Sequence, residues 1–214
     1  MLHTRLSTLE IGSKPVAPRL TYPIAALMAE IGEACDGPAA TMGDRIAGAL
    51  CEAAANPTFL SPERRAPRPN CYVRHVIASD PAGRFTLLSI VWGPGQFSPA
   101  HAHETWCAYA VVDNALTETL FDFDGVRQKA VPSGVSLREP GYACFAQAGL
   151  EQIHRLGNAG DVPAISIHAY GVEGSRIGTH VNRLIDVAEA KGGAREWQDH
   201  EGAGAAQARH ARRS

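Results

Sequence analysis

The chain has 214 residues, a formal charge of −2, 45% hydrophobic and 20% charged residues, which is ordinary for a soluble globular domain large enough to bury a full core. There is no basic stripe, which argues against nucleic acid as the main partner, and no apolar run approaches the ~20 residues that span a bilayer, so no membrane is expected. The five cysteines, Cys35, Cys51, Cys71, Cys107 and Cys144, are odd in number with no CxxC pair; this speaks against a disulfide framework or thiolate zinc cluster and fits a reducing cytoplasm.

Residues 1–19 read as an irregular lead-in without the charged-then-apolar pattern of a signal peptide. From Tyr22 to Ala55 the pattern is helical. Ile24, Leu27, Met28 and Ile31 recur at i, i+3, i+4, i+7. Gly37-Pro38 breaks this helix, and Ile46, Ala49 and Leu50 suggest a second one running toward Asn56-Pro57. The proline-rich stretch 61–70 is expected to be a solvated connector with no regular element.

After Asn70 short apolar runs alternate with turn signals. Cys71–Ala78 and Phe85–Trp92 flank Asp80-Pro81-Ala82-Gly83, a hairpin signal. His101–Val112, Leu116–Phe123, Gln128–Val131, Ser136–Glu139, Cys144–Ala146, His154–Leu156 and Ala164–Tyr170 follow as strands. Turns are expected at Asp113-Asn114, Asp124-Gly125, Pro132-Ser133-Gly134 and Gly157-Asn158. Strands of this size and spacing predict an all-β sandwich or barrel. Val181–Ala188 reads as a last strand or short helix. The resulting organisation is a helical segment over 1–69, a β-barrel over 70–190 and a disordered tail over 191–214.

The stretch Gly95-Gln96-Phe97-Ser98-Pro99-Ala100-His101-Ala102-His103 carries the first chemistry. Residues i and i+2 of a strand leave the same face with Cα atoms about 6.6 Å apart, so His101 and His103 can converge on one metal. Such a pair also arises by chance, and alone it is weak. Neutral imidazoles converging in this way would suit Fe(II) binding both a substrate and O2; they would equally hold zinc and activate water, although no acid–base carboxylate is obvious near the pair. Arg74 offers a planar fork suited to a carboxylate, or it is an interior ion-pair partner. Ser166, His168 and Tyr170 alternate on one strand face and can form a hydrogen-bonded row.

Together, Gly95-x5-His101-x-His103 and Gly134-x5-Pro140 with His154-x3-Asn158 resemble the paired motifs of the cupin superfamily, with Cys107 where the first motif usually keeps a Glu ligand. Cys71-Tyr72-Val73-Arg74, Val91-Trp92-Gly93-Pro94-Gly95, Leu116-Thr117-Glu118-Thr119-Leu120-Phe121 and Ser166-Ile167-His168-Ala169-Tyr170 extend the likeness to the thiol dioxygenases, most closely the cysteine dioxygenases. The resemblance covers about residues 70–180. It implies a double-stranded β-helix, or jelly-roll cupin barrel, with the N-terminal helices packed outside. It implies Fe(II) held by His101, His103 and His154, with a small thiol and O2 as substrates. Arg74 and Tyr72 would bind the substrate and Arg74 would hold its carboxylate. Tyr170, supported by His168, would orient substrate or donate a hydrogen bond at the metal, and Cys107 would join Tyr170 through a thioether. The family usually has one more residue between the second His and this Cys. Strand parity nevertheless puts Cys107 on the face of His101 and His103 if no bulge intervenes.

The bland readings are a hydrogen-bonded core histidine for His168 and a small buried hydrophobe for Cys107. Cys35, Cys51, Cys71 and Cys144 are expected to be buried packing residues. Related mercaptopropionate dioxygenases typically carry Gln and Gly where this chain has Arg74 and Cys107, so both positions point toward cysteine as substrate. The same chemistry on 3-mercaptopropionate or cysteamine, and a non-catalytic metal-binding cupin sensor, are the alternatives. The oligomeric state is left open.

Overall fold

The computed structural model describes residues 24–188. The expected lead-in over 1–19 and tail over 191–214 lie outside the described residues. Two helices come first, α1 (Ile24–Asp36) and α2 (Ala39–Ala54), separated at Gly37-Pro38. Proline at the position before α2 cannot continue the preceding helical ladder. Ten strands follow: β1 (Val73–Ser79), β2 (Thr86–Trp92), β3 (His101–His103), β4 (Cys107–Asp113), β5 (Leu116–Asp124), β6 (Lys129–Arg138), β7 (Ala143–Ala146), β8 (Gly149–Gly157), β9 (Ala164–Tyr170) and β10 (Asn182–Leu184). They form two five-stranded sheets, in the orders β1-β2-β9-β4-β7 and β10-β3-β8-β5-β6, with antiparallel ladders throughout. This is an all-β cupin-type barrel with two helices before it.

The two sheets meet different solvents. The first has helices on its outside, so β2 and β9 are buried along their whole length. On β9, Ile165, Ile167 and Ala169 pack with Ile46 and Leu50 of α2 in one core cluster; the alternate residues Ser166, His168 and Tyr170 therefore face the barrel interior. On β4 the outward residues are Ala108 and Ala110, which are small and let the helix approach. Cys107, Tyr109 and Val111 face inward. Among the described residues the second sheet has no such cover, and Val135 and Leu137 on its edge strand β6 are each 62% exposed.

Four local expectations need correction. His101–Val112 is not one strand. Glu104-Thr105-Trp106 carries the chain from the second sheet to the first, so β3 and β4 belong to different sheets. The corner is pinned where Thr105 Oγ1 donates to the Gly171 carbonyl at 2.6 Å and Gly171 N donates to the Trp106 carbonyl at 3.0 Å. Gly171 is required there, because a Cβ would collide with the Trp106 indole.

Pro132-Ser133-Gly134 is not a turn but lies inside β6. The register jumps from Leu120↔Gly134 to Phe121↔Pro132, leaving Ser133 as an extra residue in the strand. An edge strand tolerates both the bulge and the proline, whose missing N–H costs no ladder bond on the free side.

The stretch 61–70 is not wholly irregular, since Pro62–Arg65 forms a 3-10 turn. Nor are its charges merely solvated. Arg65 pairs with Asp113 at the end of β4, and Arg64 Nη2 donates to the Ile77 carbonyl at 3.2 Å. The cysteines also differ from expectation. Cys35, Cys51 and Cys71 are only partly buried, and all five are free. No helix among the described residues is long and apolar enough to cross a membrane.

Candidate metal centre

The three histidines converge from two neighbouring strands. His101 and His154 are direct register partners on β3 and β8, and His103 follows His101 by two. One ring nitrogen from each lies within 4.8 Å of the others. All three are buried. Burial first, and then the other imidazoles of the set, hold His101 and His103 well below the ordinary histidine pKa; they are neutral at pH 7, the form that ligates metal.

The outer nitrogens fix the tautomers. His101 Nδ1 lies 2.9 Å from the Pro99 carbonyl and His154 Nδ1 lies 2.6 Å from Glu118 Oε1. Both partners only accept, so each Nδ1 carries a proton and Nε2 is the nitrogen left to face a metal. His103 Nδ1 is buried without a partner among the described residues, as is Oδ1 of Asn182, its cross-strand neighbour on β10. A compact set of three imidazole donors fits a first-row divalent metal.

Around them lies a narrow interior cavity lined also by Tyr72, Arg74, Cys107, His168 and Tyr170, so the structure brings every residue of the expected site together. Val73 packs outward against the helices, which turns its neighbour Arg74 inward. Tyr72 stacks on Trp92 at 4.7 Å between ring centroids, and the Arg74 guanidinium lies 5.9 Å from the Tyr72 ring. Arg74 Nε is buried with no hydrogen-bond partner among the described residues.

Cys107 reaches the cavity by a different route from the parity argument. It comes from the opposite sheet, where it pairs directly with Tyr170 across β4 and β9. Burial pushes the Cys107 thiol up to about 12, and burial, then Cys107, raises the Tyr170 phenol well above its usual value. Both are protonated at neutral pH.

A polar row runs along β9. Trp92 Nε1 donates to Ser166 Oγ at 2.9 Å, Ser166 Oγ meets His168 Nε2 at 2.8 Å, and His168 Nδ1 meets the Tyr170 oxygen at 3.4 Å. Trp92 only donates, so the serine proton is free for His168 Nε2. In that polarity His168 Nδ1–H points to Tyr170 and leaves the phenol proton for the cavity. Burial first, and then Arg74, keep His168 neutral.

Glu118 is the group that the sequence reading passed over. It sits in the quoted Leu116–Phe121 strand, at the same inward parity as Leu116, and it is buried. A carboxylate at an apolar position of an alternating strand was the available signal. A carboxylate does therefore stand against the histidine set, contrary to expectation. Burial alone would raise its pKa, but the His154 hydrogen bond and the Arg138 charge win and hold it below the usual range.

Residues 68–179 match the protein family described as cysteine dioxygenase type I. The chain belongs to the cysteine dioxygenase type I family. The family match takes in the whole run from Tyr72 to Tyr170 and stops short of Asn182. Over 103 residues the chain is 31% identical to cysteine dioxygenase type 1 of Danio rerio, covering 46% of this chain and 50% of that one. It thus spans about half the length of that curated relative. Among solved structures it is similar to a Klebsiella pneumoniae protein with a double-stranded β-helix domain, at 18% identity and TM-score 0.44, covering 58% of this chain and 92% of that one. It is also similar to a cupin superfamily protein of Desulfitobacterium hafniense, at 12% identity and TM-score 0.39, covering 50% and 84%.

Proposed function

We propose that this cysteine dioxygenase family member is an Fe(II)-dependent thiol dioxygenase that adds both atoms of O2 to the sulfur of L-cysteine, giving cysteine sulfinic acid. The observation that carries the reading is Arg74, which lines the same cavity as the three imidazoles with a buried Nε that has no hydrogen-bond partner among the described residues. A guanidinium presents two parallel N–H donors to a carboxylate, and cysteine carries a carboxylate close to its thiol.

His101, His103 and His154 would hold the metal. Fe(II) held by these three residues would supply the redox chemistry that joins the thiol sulfur to dioxygen. The change RS⁻ + O2 → RSO2⁻ forms two S–O bonds, breaks the O–O bond and needs no outside reductant.

The chain's own residues bind and orient. Arg74 clamps the carboxylate, and Tyr72, braced on Trp92, shapes the wall beside it. Fixing one end of so short a substrate fixes the sulfur, which is the proximity gain such a site offers. Tyr170, aligned by His168 and Ser166, presents a phenol proton to the cavity, where it hydrogen-bonds the substrate. The sheets and helices around the cavity keep bulk water out, so these contacts act in a low-dielectric interior. The five free cysteines suit a reducing cytoplasm.

The test is sulfinate formation by the iron-loaded protein with L-cysteine, 3-mercaptopropionate and cysteamine. Preference for cysteine over cysteamine, which has no carboxylate, supports the Arg74 clamp. Equal turnover of all three removes it.

A further inference from the structure

We infer that Glu118 is the positioning residue of the metal centre, fixing His154 as a ligand, and that Arg138 fixes Glu118 in turn. The inference rests on the metal-binding part of the proposed function but not on its thiol chemistry.

Both carboxylate oxygens of Glu118 are engaged. Oε1 takes the His154 Nδ1–H at 2.6 Å, and Oε2 takes Arg138 Nε at 2.8 Å. The three side chains come from three adjacent strands, β8, β5 and β6. Arg138 is itself buried, with its guanidinium carbon 4.3 Å from the Tyr142 ring centroid. The row Tyr142–Arg138–Glu118–His154 is therefore packed at every joint, and the imidazole at its end has little freedom to turn.

A buried ion pair is by itself poor evidence of anything beyond structure. Two features set this one apart. An Arg–Glu pair can be satisfied by itself, whereas here Oε1 also accepts from an imidazole at 2.6 Å. The result also differs among the three ligands. His101 leans on a neutral backbone carbonyl, whereas His154 leans on a carboxylate. A charged acceptor on Nδ1 holds the Nε2 lone pair toward the centre and makes it more basic, and losing such a partner weakens metal binding by roughly ten- to a hundredfold.

The experiment measures Co(II) binding to the full chain, with the visible Co(II) spectrum as the readout, in Glu118→Ala and Glu118→Gln. Circular dichroism and melting of the metal-free proteins establish that each variant folds. Glu118→Ala should bind Co(II) roughly ten- to a hundredfold more weakly with an altered spectrum. Glu118→Gln should lose less, because its amide oxygen still accepts from Nδ1–H. Wild-type affinity and spectrum in a folded Glu118→Ala would overturn the inference. If Glu118→Ala does not fold, Glu118→Gln decides: weakened binding supports the role and unchanged binding overturns it. A wild-type chain that binds no Co(II) would sink the metal centre and this role with it. Failure to oxidise thiols, with Co(II) binding that depends on Glu118, would sink only the dioxygenase reading.

Discussion

Cys107 of β4 stands directly across the ladder from Tyr170 of β9, and both side chains are buried in the barrel interior. Side chains so paired have Cβ atoms about 4.5–5.5 Å apart, so the thiol and the phenol ring are neighbours whatever the metal does. Joining Sγ to the ring carbon beside the hydroxyl removes one S–H and one C–H hydrogen, with two electrons passing to dioxygen. The expected outcome is that turnover with iron, L-cysteine and O2 produces a species lighter by two hydrogens in intact mass. Cys107→Ala should show none. An unchanged wild-type mass after many turnovers would leave the pair as packing.

Arg74→Ala should lower kcat/KM for L-cysteine while leaving iron content intact. A hydrogen bond to a charged group contributes about 1.5–3 kcal/mol, which is roughly ten- to a hundredfold in rate. Cysteamine turnover should be insensitive to the change. Steady-state kinetics with both thiols, beside metal analysis, checks this; unchanged kcat/KM for cysteine would remove Arg74 from the substrate site.

His154→Ala should empty the metal site, since two imidazoles from one short strand make a poor cage for a divalent ion. Metal analysis after iron loading and desalting reads this directly. Full iron occupancy in the variant would show that His154 is not a ligand.

Much of this was legible because β9 and β3 carry their message in alternation. Ser166, His168 and Tyr170 face inward because Ile165, Ile167 and Ala169 must face the helices, and a period of two states that outright. The cupin resemblance, which the family match bears out, rested on glycine and histidine spacings: Gly95 sits in a turn with a φ of +73° and His101 opens β3, whereas Gly134 lies inside β6 and His154 inside β8. What the sequence hid was pairing at a distance. Nothing local shows that 104–106 crosses between sheets, because the break is set by Gly171 far along the chain. The role of Glu118 is set by His154 and Arg138, which are 36 and 20 residues away.

Gly157→Ala should destabilise the fold and the site together. A Cβ at this position would run into the Phe97 ring and the Gln96 carbonyl. That segment leads into β3, tied by Ser98 N to the Leu156 carbonyl at 2.8 Å and Asn158 N to the Gln96 carbonyl at 2.9 Å. Overpacking of this kind costs about 1–3 kcal/mol, readable as a lower urea midpoint at an unchanged slope. A wild-type midpoint would show that Phe97 swings aside freely.

The most direct test of the central claim is O2 consumption by the anaerobically iron-loaded protein, with L-cysteine and 3-mercaptopropionate run in parallel and the sulfinate product measured. The account predicts strong uptake with L-cysteine, cysteine sulfinic acid in equal amount to the O2 consumed, and weaker uptake with 3-mercaptopropionate. No uptake with either thiol, in protein that retains its iron, would contradict it and leave a cupin that binds metal without turning over thiols.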